Sequence, residues 1–159
     1  MSKTIRALAL DVDGTLTDGS ILWSTSGEET KRFHFLDIMG LARIIRGGVP
    51  VALISGEDSP LVDRLALKVG ITAVYKGCRN KDMALKEFVD SIGLTLEEVC
   101  FMGDDINDLP ALRISGLSAA PCTAHVSVLK EAAFISDRPA GSGAVRCLID
   151  HLWSEFVTS

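Results

Sequence analysis

Two groups of aspartates stand out as residues able to do chemistry. Asp11 and Asp13 are one residue apart and run into Gly14-Thr15, and Gly103-Asp104-Asp105-Ile106-Asn107-Asp108 holds three more. In an extended segment residues i and i+2 share a face, so Asp11 and Asp13 project the same way. Carboxylates held that close repel unless a cation or a shared proton offsets the repulsion. Together the two groups offer the hard oxygen donors that magnesium takes, usually one or two carboxylates plus a phosphate. Either group alone has a plainer reading, as a solvated Asp-Gly turn or an acid-rich helix start. Between them, Ser55-Gly56 brings a hydroxyl and backbone N–H groups suited to a phosphoryl oxygen, although Ser-Gly is also a common turn. Lys81 opens a helix, where the macrodipole disfavours a cation. Either it is solvated or it serves another purpose.

The elements around these residues explain why they would meet. Residues 5–10 and 49–54 are nearly continuous apolar runs, as expected of parallel strands covered on both faces. Shorter candidates are 71–75, 99–102, 117–120 and 133–135. Helix-period segments alternate with them: one capped by Asp37 and ending at Gly47-Gly48, one opened by Ser59-Pro60 and ending at Gly70, then 80–92, 107–115 and 144–157. Alternating strands and helices predict an α/β fold with a doubly wound parallel sheet. Counting only the sheet strands, the expected order is 3-2-1-4-5, extended by 133–135. The ligand crevice then lies at the strands' C-terminal ends beside the first strand, where the order reverses. Asp11, Ser55 and Asp104 all follow apolar strands and so reach that edge. The exception is 19–33, where 21–23 and 30–33 flank the turn 24–27 and read as a β-hairpin.

Composition narrows the function classes. The chain has 159 residues, enough for one domain over 1–159 with a real core. Sixteen Lys and Arg against 21 Asp and Glu give a net charge of −5, and no basic tract is present, which argues against nucleic acid and anionic membranes as partners. Mean hydropathy is +0.29, yet no apolar run reaches the ~18 residues of a membrane span, so the surplus points to a buried sheet and a subunit interface. No cleavage-site pattern follows Met1, and the four cysteines are scattered without a C-x-x-C pair. Both features point to reduced thiols and a cytoplasmic protein. His34, His125 and His151 form no cluster in sequence.

Asp11-Val12-Asp13-Gly14-Thr15, Ser55, Lys81 and Gly103-Asp104-Asp105-Ile106-Asn107-Asp108, in this order, resemble the motif set of haloacid-dehalogenase-superfamily phosphatases over nearly the whole chain. The resemblance implies Asp11 as nucleophile, Asp13 as general acid/base and Lys81 as a phosphate ligand with a catalytic role. It implies Mg2+ held by Asp11, Asp104 and the Asp13 carbonyl. Thr15, Ser55 and Gly56 are implied at the phosphate, with Asp105, Asn107 and Asp108 supporting the site from behind. Chemically this is coherent, since a carboxylate can attack phosphorus to give an aspartyl-phosphate, and most catalysis of phosphoryl transfer is neutralisation of charge.

Most of that superfamily carries a cap domain. Here Gly14 to Ser55 is filled by the hairpin and one helix, and Ser55 to Lys81 by one helix and one strand, so there is no room for one. The chain is similar to a capless subgroup acting on 3-deoxy-D-manno-octulosonate 8-phosphate and nine-carbon ulosonate 9-phosphates. Asp18-Gly19, the hairpin, Phe33…Asp37…Gly40 and 140–146 carry this resemblance. It implies a sugar-acid phosphate substrate and a homotetramer in which a neighbour's hairpin and tail close the site. Glu57 stands where octulosonate enzymes usually have arginine, and nononate relatives resemble this chain in having Glu there and a lysine at Lys68. Arg64 lies one step from the family's arginine, at Leu65. Glu57, Arg64 and Lys68 are thus candidates for the sugar end, or members of a solvated helix face. Two other readings are a receiver domain, which lacks support because no aspartate follows Tyr75, and an inactive tetramerisation module of the kind fused to acylneuraminate cytidylyltransferases, which tends to lose the acids intact here.

Overall fold

In the computed structural model, residues 4–157 are described. The sheet strands are β1 (Ala7–Leu10), β4 (Val51–Ile54), β5 (Ala73–Tyr75), β6 (Val99–Met102), β7 (Leu117–Pro121) and β8 (Phe134–Ser136). A separate antiparallel hairpin is formed by β2 (Leu22–Trp23) and β3 (Glu29–Thr30). The helices are α1 (Phe35–Arg46), α2 (Pro60–Val69), α3 (Lys81–Ser91), α4 (Leu109–Ile114), α5 (Val126–Glu131), α6 (Ala144–His151) and α7 (Trp153–Val157). The sheet runs β5-β4-β1-β6-β7-β8 with every neighbouring pair parallel, the order expected from the sequence.

Alternation along the buried strands builds a three-layer core. Leu8, Leu10, Leu53 and Met102 face α1, α2 and α6, packing with Leu41, Ile44, Val62, Leu65 and Leu148. Ala7, Ala9, Ile54 and Phe101 face α3, α4 and α5, against Leu85, Phe88, Leu112 and Val128. Small residues on β1's second face let helices approach where the first strand must be most deeply covered.

Several local expectations are corrected. Asp37 does not cap α1. His34 does, its ring nitrogen accepting from Leu36 N at 3.2 Å. Asp37 is buried two residues into α1 and instead accepts backbone N–H bonds from Arg146 at 2.8 Å and Gly143 at 3.3 Å, tying the C-terminal segment to α1. Burial raises its pKa, against the pull of those N–H donors. The crossing of α1 with α6 also explains Gly40, since a Cβ there would sit 2.9 Å from Arg146 Cδ. The segment 107–115 begins as a short 3₁₀ turn, Ile106–Asp108, before α4, because Pro110 suits a helix's first turn and not its interior. The segment 144–157 is broken at Leu152 into α6 and α7. α5 has no counterpart among the helices expected from the sequence. His125 caps it, accepting from Ser127 N at 3.2 Å. The hairpin's second arm is Glu29–Thr30, earlier than the expected 30–33.

Candidate active site

β1 delivers Asp11 to the C-terminal edge of the sheet, where Asp11 N donates to Met102 O of the next strand at 2.9 Å. The chain then turns sharply. Gly14 has φ +81°, and a Cβ there would fall inside the Asp104 carboxylate, so only glycine lets the first loop lie against the second acidic cluster. Thr17 Oγ1 fixes this turn by accepting from Gly14 N at 3.2 Å and Gly19 N at 3.1 Å.

Lys81 sits on the first turn of α3 and is 2% exposed. Its ammonium donates to Asp11 Oδ1 and Asp108 Oδ1, both at 2.6 Å. Burial, the largest single influence, pulls the ammonium's pKa down, but the two aspartates outweigh it and hold the lysine charged. The other oxygen of Asp108 accepts from Asp104 N at 2.9 Å and Asp105 N at 3.1 Å. Asp108 is therefore a bracket with both oxygens engaged. Asp105 caps the short turn that carries it, accepting from Ile106 N at 2.7 Å.

Carboxylate oxygens of Asp11, Asp104 and Asp108 all lie within 4.8 Å of one another. Burial first, with help from the neighbouring Asp108 charge, raises Asp11 well above the usual carboxylate range. Burial likewise pushes Asp104 up to about 6. These raised values, and hard oxygen donors converging on one point, fit a divalent cation that would offset the crowded negative charge. A pH effect follows. A divalent cation held there would displace a proton from Asp104 near pH 6, so its affinity should fall as pH drops from 7 to 5. Isothermal titration in buffers of different ionisation enthalpy should register more proton release on binding near pH 6 than at pH 8.

The acids open onto a cavity of about 580 Å³ lined by Asp11, Asp13, Asp104, Asp105 and Lys81 together with Gly19, Gly56, Glu57, Cys78, Arg79 and Asn107. The structure thus brings together most of the residues singled out from sequence. Ser55 is buried at the end of β4, its hydroxyl accepting from Glu57 N at 3.1 Å. Thr15 is fully buried and does not line the cavity. Arg64 and Lys68 lie elsewhere. α2 turns Val62, Leu65 and Ala66 inward, which leaves Arg64 and Lys68 in a separate cavity of about 330 Å³ beneath the hairpin, with Glu29, Lys31 and Phe33.

Two residues near the aspartates escaped sequence reasoning. Arg79 lines the main cavity and makes no hydrogen bond or ion pair among the described residues. Its place just before Lys81 was the available signal. Lys31 comes from the hairpin and lies 2.8 Å from Asp13 Oδ1. Nothing local marks it, because its partner is far along the chain. All four cysteines are free, and no helix among the described residues is long and apolar enough to cross a membrane.

Comparison with known proteins finds relatives over nearly the whole chain. Residues 68–148 match the haloacid dehalogenase-like hydrolases. The 3-deoxy-D-manno-octulosonate 8-phosphate phosphatase of Escherichia coli K12 is 36% identical over 151 residues, covering 95% of this chain and 80% of that protein. The Moraxella catarrhalis phosphatase of the same name, solved with magnesium, phosphate and KDO, superposes with a TM-score of 0.93 at 32% identity, over 97% of this chain and 88% of that one. The cobalt-bound Haemophilus influenzae phosphatase gives 0.91 at 32% identity, over 96% and 90%.

Proposed function

The chain belongs to the haloacid dehalogenase-like hydrolases, in the 3-deoxy-D-manno-octulosonate 8-phosphate phosphatase family, and from there we propose that it hydrolyses the terminal phosphate of a 3-deoxy-2-ulosonic acid, with Mg2+ as cofactor. The convergence of Asp11, Lys81 and Asp104 on one open cavity carries this reading. Asp11, Asp104 and the Asp13 carbonyl would hold the magnesium. When bound, it supplies positive charge beside the phosphoryl oxygens.

The chain's own residues account for the rest. An Asp11 oxygen attacks phosphorus and the P–O bond to the sugar breaks. Asp13 gives its proton to the departing alkoxide. Asp13 then takes a proton from water, whose oxygen attacks the same phosphorus. The bond to Asp11 breaks and inorganic phosphate leaves. Lys81 offsets charge on the transferring group, and Asp108 holds Lys81 in line. Gly56 N–H and the Ser55 loop receive phosphoryl oxygens. Arg79 and Glu57 face the sugar, Arg79 as the cavity's uncommitted cation for the substrate's carboxylate.

The test is magnesium-dependent phosphate release measured side by side on octulosonate 8-phosphate, nononate and N-acetylneuraminate 9-phosphates, and hexose phosphates. A sugar-acid phosphate should lead by at least tenfold in kcat/KM, and equal rates on hexose phosphates would refute the substrate class. Glu57→Ala and Arg79→Ala should each raise KM for the sugar acid more than for p-nitrophenyl phosphate. Equal effects on both substrates would place these side chains at the phosphate.

Assembly belongs to the same proposal. Leu22 and Trp23 on the hairpin and Phe35 and Met39 on α1, which follows it, are all exposed, Trp23 at 74%. Such a patch suits an interface and not a solvated flap. We read the functional form as a homotetramer with the hairpin at its centre, working in the cytoplasm, where free thiols persist. Deleting residues 21–31 should shrink the particle in light scattering and cost more activity on the sugar acid than on p-nitrophenyl phosphate. An unchanged particle mass would remove the hairpin from the interface.

A further inference from the structure

Lys31 and Lys81 are the two buried lysines among the described residues. The Lys31 side chain is fully covered, although the hairpin that carries it is exposed along nearly all its length. The ammonium lies 2.8 Å from Asp13 Oδ1, with Glu29 Oε1 farther off at 3.8 Å. Neither Lys31 Nζ nor Asp13 Oδ1 is reached by solvent, and neither makes an aligned hydrogen bond. Each is thus the other's principal partner, and a buried charge stripped of its partner is costly. Asp13 also lines the main cavity. With Oδ1 turned into the protein against Lys31, Oδ2 is the oxygen left for exchange with whatever occupies the cavity.

That division suits acid–base work. A group that donates a proton to a leaving oxygen and then takes one from water must present one oxygen in a fixed place. Small misplacements of such groups are expensive, and a locked second contact is what prevents them. Thr15, two residues on, has a buried hydroxyl without a partner, and Asp13 has no other cation near it among the described residues. The locking contact therefore comes from the hairpin.

We propose that Lys31 is a positioning residue for the hydrolysis, pinning Asp13 through Oδ1 so that Oδ2 meets the leaving oxygen and then the water. This rests on the reading of Asp13 as the general acid/base. It gives the hairpin a role in its own subunit's chemistry, separate from any contact with a neighbour.

A double-mutant cycle tests it, with steady-state kinetics on octulosonate 8-phosphate and light scattering on each variant. Lys31→Met keeps the stem's bulk and removes the charge. In the wild-type background it should lower kcat by about 10- to 100-fold with KM within twofold, a loss of the size general acid–base contributions allow. In an Asp13→Asn background the same change should lower the residual kcat by less than twofold, because the group Lys31 positions is already gone. Lys31→Arg keeps the charge and should recover part of kcat. If Lys31→Met does not fold, Lys31→Arg with and without Asp13→Asn supplies the cycle, at intermediate size. Equal losses in both backgrounds, an effect confined to KM, or kcat within twofold of wild type would each overturn the proposal. Equal losses with a smaller particle would assign Lys31 to assembly. Should Asp13→Asn alone retain near wild-type kcat, the acid/base reading itself fails, a result distinct from any of these.

Discussion

Asp11→Asn should lower kcat by at least about 10³-fold, about 4 kcal/mol in barrier, and leave a folded protein. The amide lacks the anionic oxygen with which the carboxylate would form an O–P bond. The fold should not suffer, because burial raises the Asp11 pKa well above the usual range, so its charge is a cost to the metal-free protein and not a support. The variant should therefore melt no lower than wild type without magnesium. Asp13→Asn should keep magnesium and substrate binding better than Asp104→Asn, since Asp13 would meet the metal through its carbonyl. A kcat for Asp11→Asn within tenfold of wild type, only ~1.4 kcal/mol, would contradict the nucleophile assignment.

Lys81→Met should have the largest effect on stability. Lys81 is the ammonium common to two buried carboxylates, Asp11 and Asp108, at 2.6 Å from each. Removing one partner of a buried pair costs about 3–5 kcal/mol, because the remaining charges stay in place without compensation. For a domain of this size that is a fall in Tm on the order of 10 °C. The sign with pH is fixed. Asp11 and Asp104 both have pKa values raised above those of an unfolded chain. Their contribution to stability is complete at low pH and is lost as pH rises through their folded values. The gap between Lys81→Met and wild type should therefore be wide at pH 8 and narrow toward pH 5. Millimolar magnesium should narrow it at pH 8, since the acids that have lost the lysine's charge bind a cation more tightly and the variant gains more stability by mass action than wild type does. Differential scanning calorimetry across this pH range measures all three, and an unchanged Tm at pH 8 would show that the lysine does not balance the acids.

Much of this architecture is legible in the amino-acid order because it rests on local signals. Val99–Met102 is a strand at the boundaries its four apolar residues mark, and the Gly103-Asp104 that follows must then lie at the sheet's C-terminal edge. Ser59 with Pro60 opens α2 as capping chemistry requires. Asp11, Lys81 and Asp104 converge because each follows or opens an element whose end the fold places on that edge. What was hidden depends on contacts distant in sequence. Asp37 looks like a cap and serves instead as an anchor for Gly143 and Arg146, over a hundred residues on. Arg64 and Lys68 lie on the helix that follows the Ser55-Gly56 loop, but α2's buried stripe turns them toward the hairpin. Lys31 sits in a polar, exposed segment whose composition predicts solvent, and only the folded hairpin brings its ammonium to Asp13.

The proposed attack of Asp11 on phosphorus has a direct readout. Turnover of octulosonate 8-phosphate with magnesium is quenched in acid during the steady state, and the protein is reduced with borohydride, which converts a phosphorylated aspartate to homoserine. Peptide mass spectrometry then locates the change. Homoserine at position 11, absent without substrate and absent in Asp11→Asn, is the expected result. Homoserine at position 13 or 104 in place of 11 would contradict the assignment of Asp11 as the residue that carries the phosphoryl group.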